Sequence, residues 1–315
     1  MPGLVAEAVP PDIWHNVGAT TIAVTPSLLI FGALALYLAG VIRFDRTQPA
    51  PWPVRRTVAF VSATVVTFVA IELFVGVYDD VLFYDHMIQH LMLLMIAAPL
   101  YAMGAPLDLL DRATTGRTHQ TISKVLASRV AEIVGHPVTA VVLYAVLIPA
   151  AHLTGLYNLS LTHDLVHDNE HLAFLAVGYL FWRHAIAIEP ARHPLHPGVR
   201  LALLAVAIPV DTFTGLALVS ASKEMFSFYD SFRRSWGPSK VSDLHIGGSI
   251  MWIGGDGVMG LAMMPVLVRW VRFEEQRARE IDARLDAELE AERDAAGDSQ
   301  TNRDSSSARS GPGVA

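Results

Sequence analysis

The stretch DHMIQHLMLLM, residues 85 to 95, sets one carboxylate and two imidazoles at the head of a strongly apolar run. His86 and His90 are four apart, so a helix stacks them on one face, one turn above the other. The same spacing recurs twice downstream, at His163, His167 and His171. An i, i+4 histidine pair offers two nitrogens to one ion, and neutral imidazole is the commonest metal ligand. The chain has 13 histidines, 10 methionines and no cysteine. That composition excludes disulfides, thiolate copper sites and iron–sulfur clusters. It leaves imidazole and thioether, a pairing suited to Cu(I), and Met87 and Met251 stand at the right depth to supply the sulfur. Paired imidazoles on facing helices are also the axial ligands of a b-type haem.

Carboxylates form a second group. Glu72, Asp211 and Asp256 lie inside apolar sequence, where a charge costs at least about 2.5 kcal/mol on insertion scales. They are candidates for steering a cation or for hydrogen-bonding between helices. The stretch GGSIMWIGGDGVMG around Asp256 is dense in glycine, which permits close helix approach or local unwinding. His167 to His171 also fits H-x-x-E-H, the inverted zinc-peptidase pattern, although three fixed positions carry little weight in a histidine-rich chain. No P-loop, dinucleotide fingerprint or serine nucleophile elbow is present, and nothing points to nucleic acid as a partner.

The elements that position these groups read as membrane helices. Of the 315 residues, 52% are hydrophobic and only 17% charged, against about 25% charged in soluble proteins. A hydrocarbon core takes about 20 apolar residues per helix. Seven runs qualify, at 20–42, 57–78, 86–104, 137–156, 167–188, 199–220 and 245–270. The expected fold is therefore all-α, an integral membrane bundle of seven transmembrane helices. Residues 1–19 form an external segment, 20–270 the membrane domain, 271–294 a charged cytoplasmic helix and 295–315 a disordered tail.

Positive charge fixes the expected orientation. The first loop carries Arg43, Arg46, Arg55 and Arg56; the third Arg112, Arg117, Lys124 and Arg129; the fifth Arg183, Arg192 and Arg200. The segment after the last span carries Arg269, Arg272, Arg277 and Arg279, and the second and fourth loops carry no Lys or Arg. Only the sixth loop dissents, with Lys223, Arg233, Arg234 and Lys240. The N-terminus is thus expected outside and the C-terminus in the cytoplasm. This arrangement gathers His86, His90, His152, His163, His167, His171 and His245 at the outer face, whereas His184, His193 and His196 fall on the inner side beside arginines.

Three stretches together carry a resemblance. DHMIQHLMLLMIAAPLYAMGAP (85–106), VHDNEHLAFLAVGYLFWRH (166–184) and DLHIGGSIMWIGGD (243–256) resemble the two histidine spans and the final span of the polytopic CtaG family, assembly factors of the caa3-type cytochrome c oxidase. His245 stands where the family's final motif has another residue. A single-span, cysteine-bearing copper chaperone shares the family's name, and a chain without cysteine is not that protein. The resemblance implies a plasma-membrane protein that is not an enzyme and that matures a haem–copper oxidase by handling copper. Its partners would be oxidase subunits, other copper chaperones and membrane lipid. Combined with the residue pattern, it makes His86, His90, His167, His171, Asp243, His245 and Met251 the expected metal ligands. Asp85, Met87, His152, His163, Glu72, Asp211 and Asp256 are expected in support, with Asp85 orienting an imidazole. A copper transporter, a b-type haem protein and a zinc-dependent membrane hydrolase use the same residues in other ways and stay open at this point.

Overall fold

The computed structural model describes residues 6–7, 23–73, 75–189 and 194–308, with side chains for 23–73, 75–189, 194–231 and 234–293. The expected external segment 1–19 (apart from 6–7) and His193 lie outside the described residues.

The apolar runs fold as helices. These are α1 (Val24–Thr47), α2 (Val54–Glu72), α3 (Phe83–Leu91), α4 (Ala98–Gly104), α5 (Pro106–Ala113), α6 (Gly116–Leu126), α7 (Arg129–Val134), α8 (Pro137–Leu153), α9 (Leu156–Thr162), α10 (Asp164–Ile186), α11 (Pro197–Val219), α12 (Lys240–Ser249) and α13 (Gly255–Ala308). Two π-helical turns, Met92–Ala97 between α3 and α4 and Ile250–Gly254 between α12 and α13, keep those helices continuous. Apart from a two-residue parallel pairing of Ala6–Glu7 with Phe232–Arg233, the described residues are helical or irregular.

Among the described residues five helices are long and apolar enough to cross a membrane: α1, α2, the run Phe83–Ala113, α11 and the run that starts at Lys240. The pair α8 and α9, bent by 71°, makes a sixth if taken as one span. Helix α10 occupies the place of the expected fifth span. Its first two turns carry Asp164, His167, Asp168, Glu170 and His171, which lowers its apolarity below that of the others. The outward faces of the apolar helices are what a lipid solvent selects: Leu28, Leu36, Val58, Val206 and Leu261 are all exposed.

Small residues let the helices approach. A Cβ on Gly178 of α10 would meet the Cβ of Ala98 in α4 at 2.8 Å, and one on Gly215 of α11 would meet the Gly248 carbonyl of α12 at 2.7 Å. Such close contacts replace the hydrophobic drive that lipid removes. The main core packs Phe83, Met87, Leu94, Tyr144, Tyr157, Phe174 and Trp182 together. A second cluster joins Tyr37, Phe44, Trp52, Phe60 and Leu109, with Tyr37 stacked on Phe60 at 3.8 Å between ring centroids. Asp243 of α12 caps α3 from a distant part of the chain: its carboxylate accepts from the Phe83 and Tyr84 amides at 3.2 and 2.9 Å and from Arg234 at 2.7 Å. The α3 N-terminus is thereby fixed in place by the last span.

The chain divides into two compact units, 1–266 and 267–315. In the second, α13 is continuous to Ala308, with Ile281, Leu285 and Leu289 exposed along it.

Candidate metal centre

The first turns of α3 and α10 meet inside the main unit. His86 and His90 come from α3, His167, Glu170 and His171 from α10. One donor atom each from His86, His167 and His171 lie within 4.8 Å of one another, and so do one each from His86, His90 and Glu170. The imidazole ring centroids are 4.3 Å apart for His86–His90 and for His167–His171, and 5.9 Å for His90–His171. Glu170 Oε2 is 4.0 Å from His86 Nε2.

Satisfaction of polar atoms separates a ligand cluster from an ordinary polar core. Both ring nitrogens of His86, Nε2 of His90, Nε2 of His167 and both carboxylate oxygens of Glu170 are buried without a hydrogen-bond partner. A buried polar group left unmade costs about 1–3 kcal/mol. Six such atoms converge here, of eleven in the described residues. One nitrogen of His86 carries the ring proton; the other, with the His90, His167 and Glu170 atoms, offers lone pairs that a bound cation would satisfy, so the donor set fits a metal.

The surrounding hydrogen bonds fix which nitrogen is free. Nδ1 of His152 lies 2.8 Å from the Ile148 carbonyl, which can only accept, so Nδ1 carries the proton and Nε2 the lone pair. That lone pair faces His90 Nδ1 at 3.1 Å, which therefore donates. His90 Nε2 is left as a bare donor to a metal. On the other side Gln89 Nε2 donates to the Ala70 carbonyl at 3.0 Å, so its Oε1 accepts from His171 Nε2 at 2.9 Å. His171 is left with its lone pair on Nδ1. Outer hydrogen bonds of this kind orient imidazole ligands and set their tautomers.

The opening lies at His167. Its side chain is 21% exposed, while His86 and His90 are nearly fully buried. Asp79, in the loop between α2 and α3, brings a carboxylate oxygen to 3.6 Å from His167 Nε2. Burial, and then the charge of neighbouring Asp80, push the Asp79 carboxyl up to about 8.

The other expected site residues are placed as follows. His152 joins through its bond to His90 rather than as a member of either donor group. Met87 and Met251 line a small cavity that also touches His90 and His152. Asp243 uses its carboxylate on α3 and Arg234. His245 bonds the Ala221 carbonyl at 2.8 Å and belongs to neither donor group. His163 is the residue that precedes α10; its side chain makes no bond to the helix, and its Nδ1 lies 2.9 Å from the Thr162 hydroxyl. Asp85 bonds no imidazole among the described residues, and the carboxylates that approach the rings are Glu170 and Asp79. Glu72 accepts from the Ala23 amide and the Ser27 hydroxyl at 2.7 and 3.0 Å, tying α2 to α1. Asp211 accepts from Tyr144 and Asp256 from Thr212, each at 2.7 Å. Glu170, Gln89 and Asp79 were not among the expected site residues.

The chain is 28% identical over 262 residues to the uncharacterized protein ML1998 of Mycobacterium leprae, covering 79% of this chain and 40% of that one. It is 29% identical over 255 residues to the uncharacterized protein Mb0105 of Mycobacterium bovis, covering 78% and 38%. The chain thus spans about 40% of the length of these curated relatives. No solved structure matches. A family model described as the cytochrome c oxidase caa3 assembly factor, CtaG, matches residues 35–273, a range that contains every residue of both donor groups. The chain belongs to the CtaG family of cytochrome c oxidase caa3 assembly factors.

Proposed function

We propose that this protein binds copper at one membrane face and hands it to a haem–copper cytochrome c oxidase during assembly. His86, His90, His167, His171 and Glu170 hold the ion, and Gln89 and His152 orient the rings. The observation that carries this reading is the convergence of six buried, unpartnered nitrogen and oxygen atoms on α3 and α10. Copper is cargo here, so the protein binds, orients and releases it without turnover chemistry. His167, the most accessible of the four imidazoles, is the point of entry and exit.

The setting is the plasma membrane, with seven spans, the N-terminus outside and the C-terminus in the cytoplasm. The α8–α9 pair and α10 join the five apolar helices to make seven. The second and fourth loops, free of Lys and Arg, lie on the outer face with the histidine cluster. The dissent of the sixth loop has a physical explanation. Arg234 pairs with Asp243 at 2.7 Å, and Lys240 with Asp230 and Glu224 at 2.5 and 3.7 Å, so two of its cations are neutralised locally.

The test is a strain carrying His86→Ala with His90→Ala. Oxidase activity and oxidase copper content are expected to fall together while the variant stays in the membrane at normal level. Normal copper content in that strain would refute the reading.

A further inference from the structure

Beside the histidine cluster, a cavity of about 20 Å³ is lined by Met87, His90, Met95, His152, Asp211 and Met251, with apolar side chains completing its wall. That space accommodates one water-sized sphere. The three methionines are buried, as is Asp211. Asp211 Oδ2 accepts from the Tyr144 hydroxyl, but Oδ1 is buried without a partner. Met95 and Met251 stand on the two π-helical turns. Isolated π turns cost regular hydrogen bonding and concentrate at functional sites.

The chemistry of the wall selects its occupant. A water would satisfy Asp211 Oδ1, but thioether sulfur is a weak hydrogen-bond acceptor and gives a water little in return. A soft monovalent cation suits both halves of the wall. Thioethers and imidazole are its preferred donors, and one carboxylate cancels its single charge, which a buried ion in a low-dielectric interior requires. A divalent hard ion would meet too few oxygens and leave a net charge.

We propose that this cavity is a second, inner binding position for Cu(I), ligated by Met87, Met251 and Met95 with Asp211 as counter-ion. His90, whose ring borders both the cavity and the histidine cluster, separates the two positions. The proposal rests on the copper-binding reading of that cluster and extends it from one position to two in series. The inner one is shielded from water and oxidants while the ion awaits transfer.

The test is anaerobic titration of the full-length protein in detergent with Cu(I), buffered by a competing chelator, followed by copper-edge X-ray absorption. Wild type is expected to take up two equivalents, with sulfur in the copper shell. Met87→Leu with Met251→Leu, a near volume-conserving change that cores tolerate, is expected to bind one equivalent through nitrogen and oxygen only. His86→Ala with His171→Ala is expected to keep the sulfur-ligated equivalent. Wild-type copper bound without sulfur, or a methionine variant that still binds two, overturns the inner site and leaves the histidine reading standing. A wild type that binds no Cu(I) overturns both.

Discussion

The unpartnered atoms of the cluster, and the bonds that orient their rings, give each residue a separate and testable part. Gln89 touches no ion but holds the His171 tautomer between Ala70 and the ring. Gln89→Leu is expected to weaken copper binding about 10- to 100-fold, the usual cost of losing an outer hydrogen bond to a ligand. Competition against a chelator of known affinity measures it, with Gln89→Glu, which keeps an acceptor at that position, expected to recover most of the loss. His245→Ala, whose ring faces the Ala221 carbonyl, is expected to bind copper as wild type does. Much of this centre was legible in the sequence, because i, i+4 spacing on an apolar helix puts imidazoles on one face whatever the fold. Glu170 was visible too, but only as a position of the H-x-x-E-H pattern, which carries little weight in a histidine-rich chain. His245 was grouped by depth alone. On α12 the residues facing α3 are Asp243 and Gly247, then Met251 on the following turn, four apart. His245 lies about 200° around the helix from Asp243, so periodicity already excluded both from one face.

At the scale of elements, the centre depends on holding α3 against α10 and α12. Asp243 closes the α3 N-terminus through two amides and an arginine. Asp243→Ala leaves those donors and the Arg234 charge without their acceptor, at about 1–3 kcal/mol. A lowered thermal midpoint in detergent is expected, together with weaker copper binding because His86 and His90 ride on that helix. Gly178→Val drives a side chain into Ala98 and Leu94, and overpacking of this kind costs about 1–3 kcal/mol. Its midpoint is expected to fall in the same way, as measured by thermal unfolding in detergent. The positions of the helices followed from hydropathy. Their irregularities followed only in part: the glycine-dense stretch around Ile250–Gly254 signalled local unwinding, whereas MLLMIA at Met92–Ala97 reads as regular apolar helix. The 71° break between α8 and α9 follows Pro149 and a Thr154–Gly155 junction; the expected span ended at Leu156, which left α9 in the expected fourth loop. The resemblance carried by residues 85–106, 166–184 and 243–256 is matched by the family model across residues 35–273.

At the scale of the whole molecule, the absence of cysteine gives a direct probe of orientation. Ser231→Cys in the sixth loop is expected to react with a membrane-impermeant thiol reagent in intact cells. Thr121→Cys on α6, in the third loop, is expected to react only after permeabilisation, and the reverse pattern would invert the topology. The central claim is that the histidine cluster holds copper. The most direct measurement is the metal content and optical spectrum of untagged protein purified without oxygen and loaded with Cu(I). Near-stoichiometric or higher copper with no Soret band is predicted, with the histidine-bound equivalent lost from the His86→Ala, His90→Ala variant. Copper refused by the wild type, or taken up in equal amount and in the same ligand shell by the variant, would contradict it.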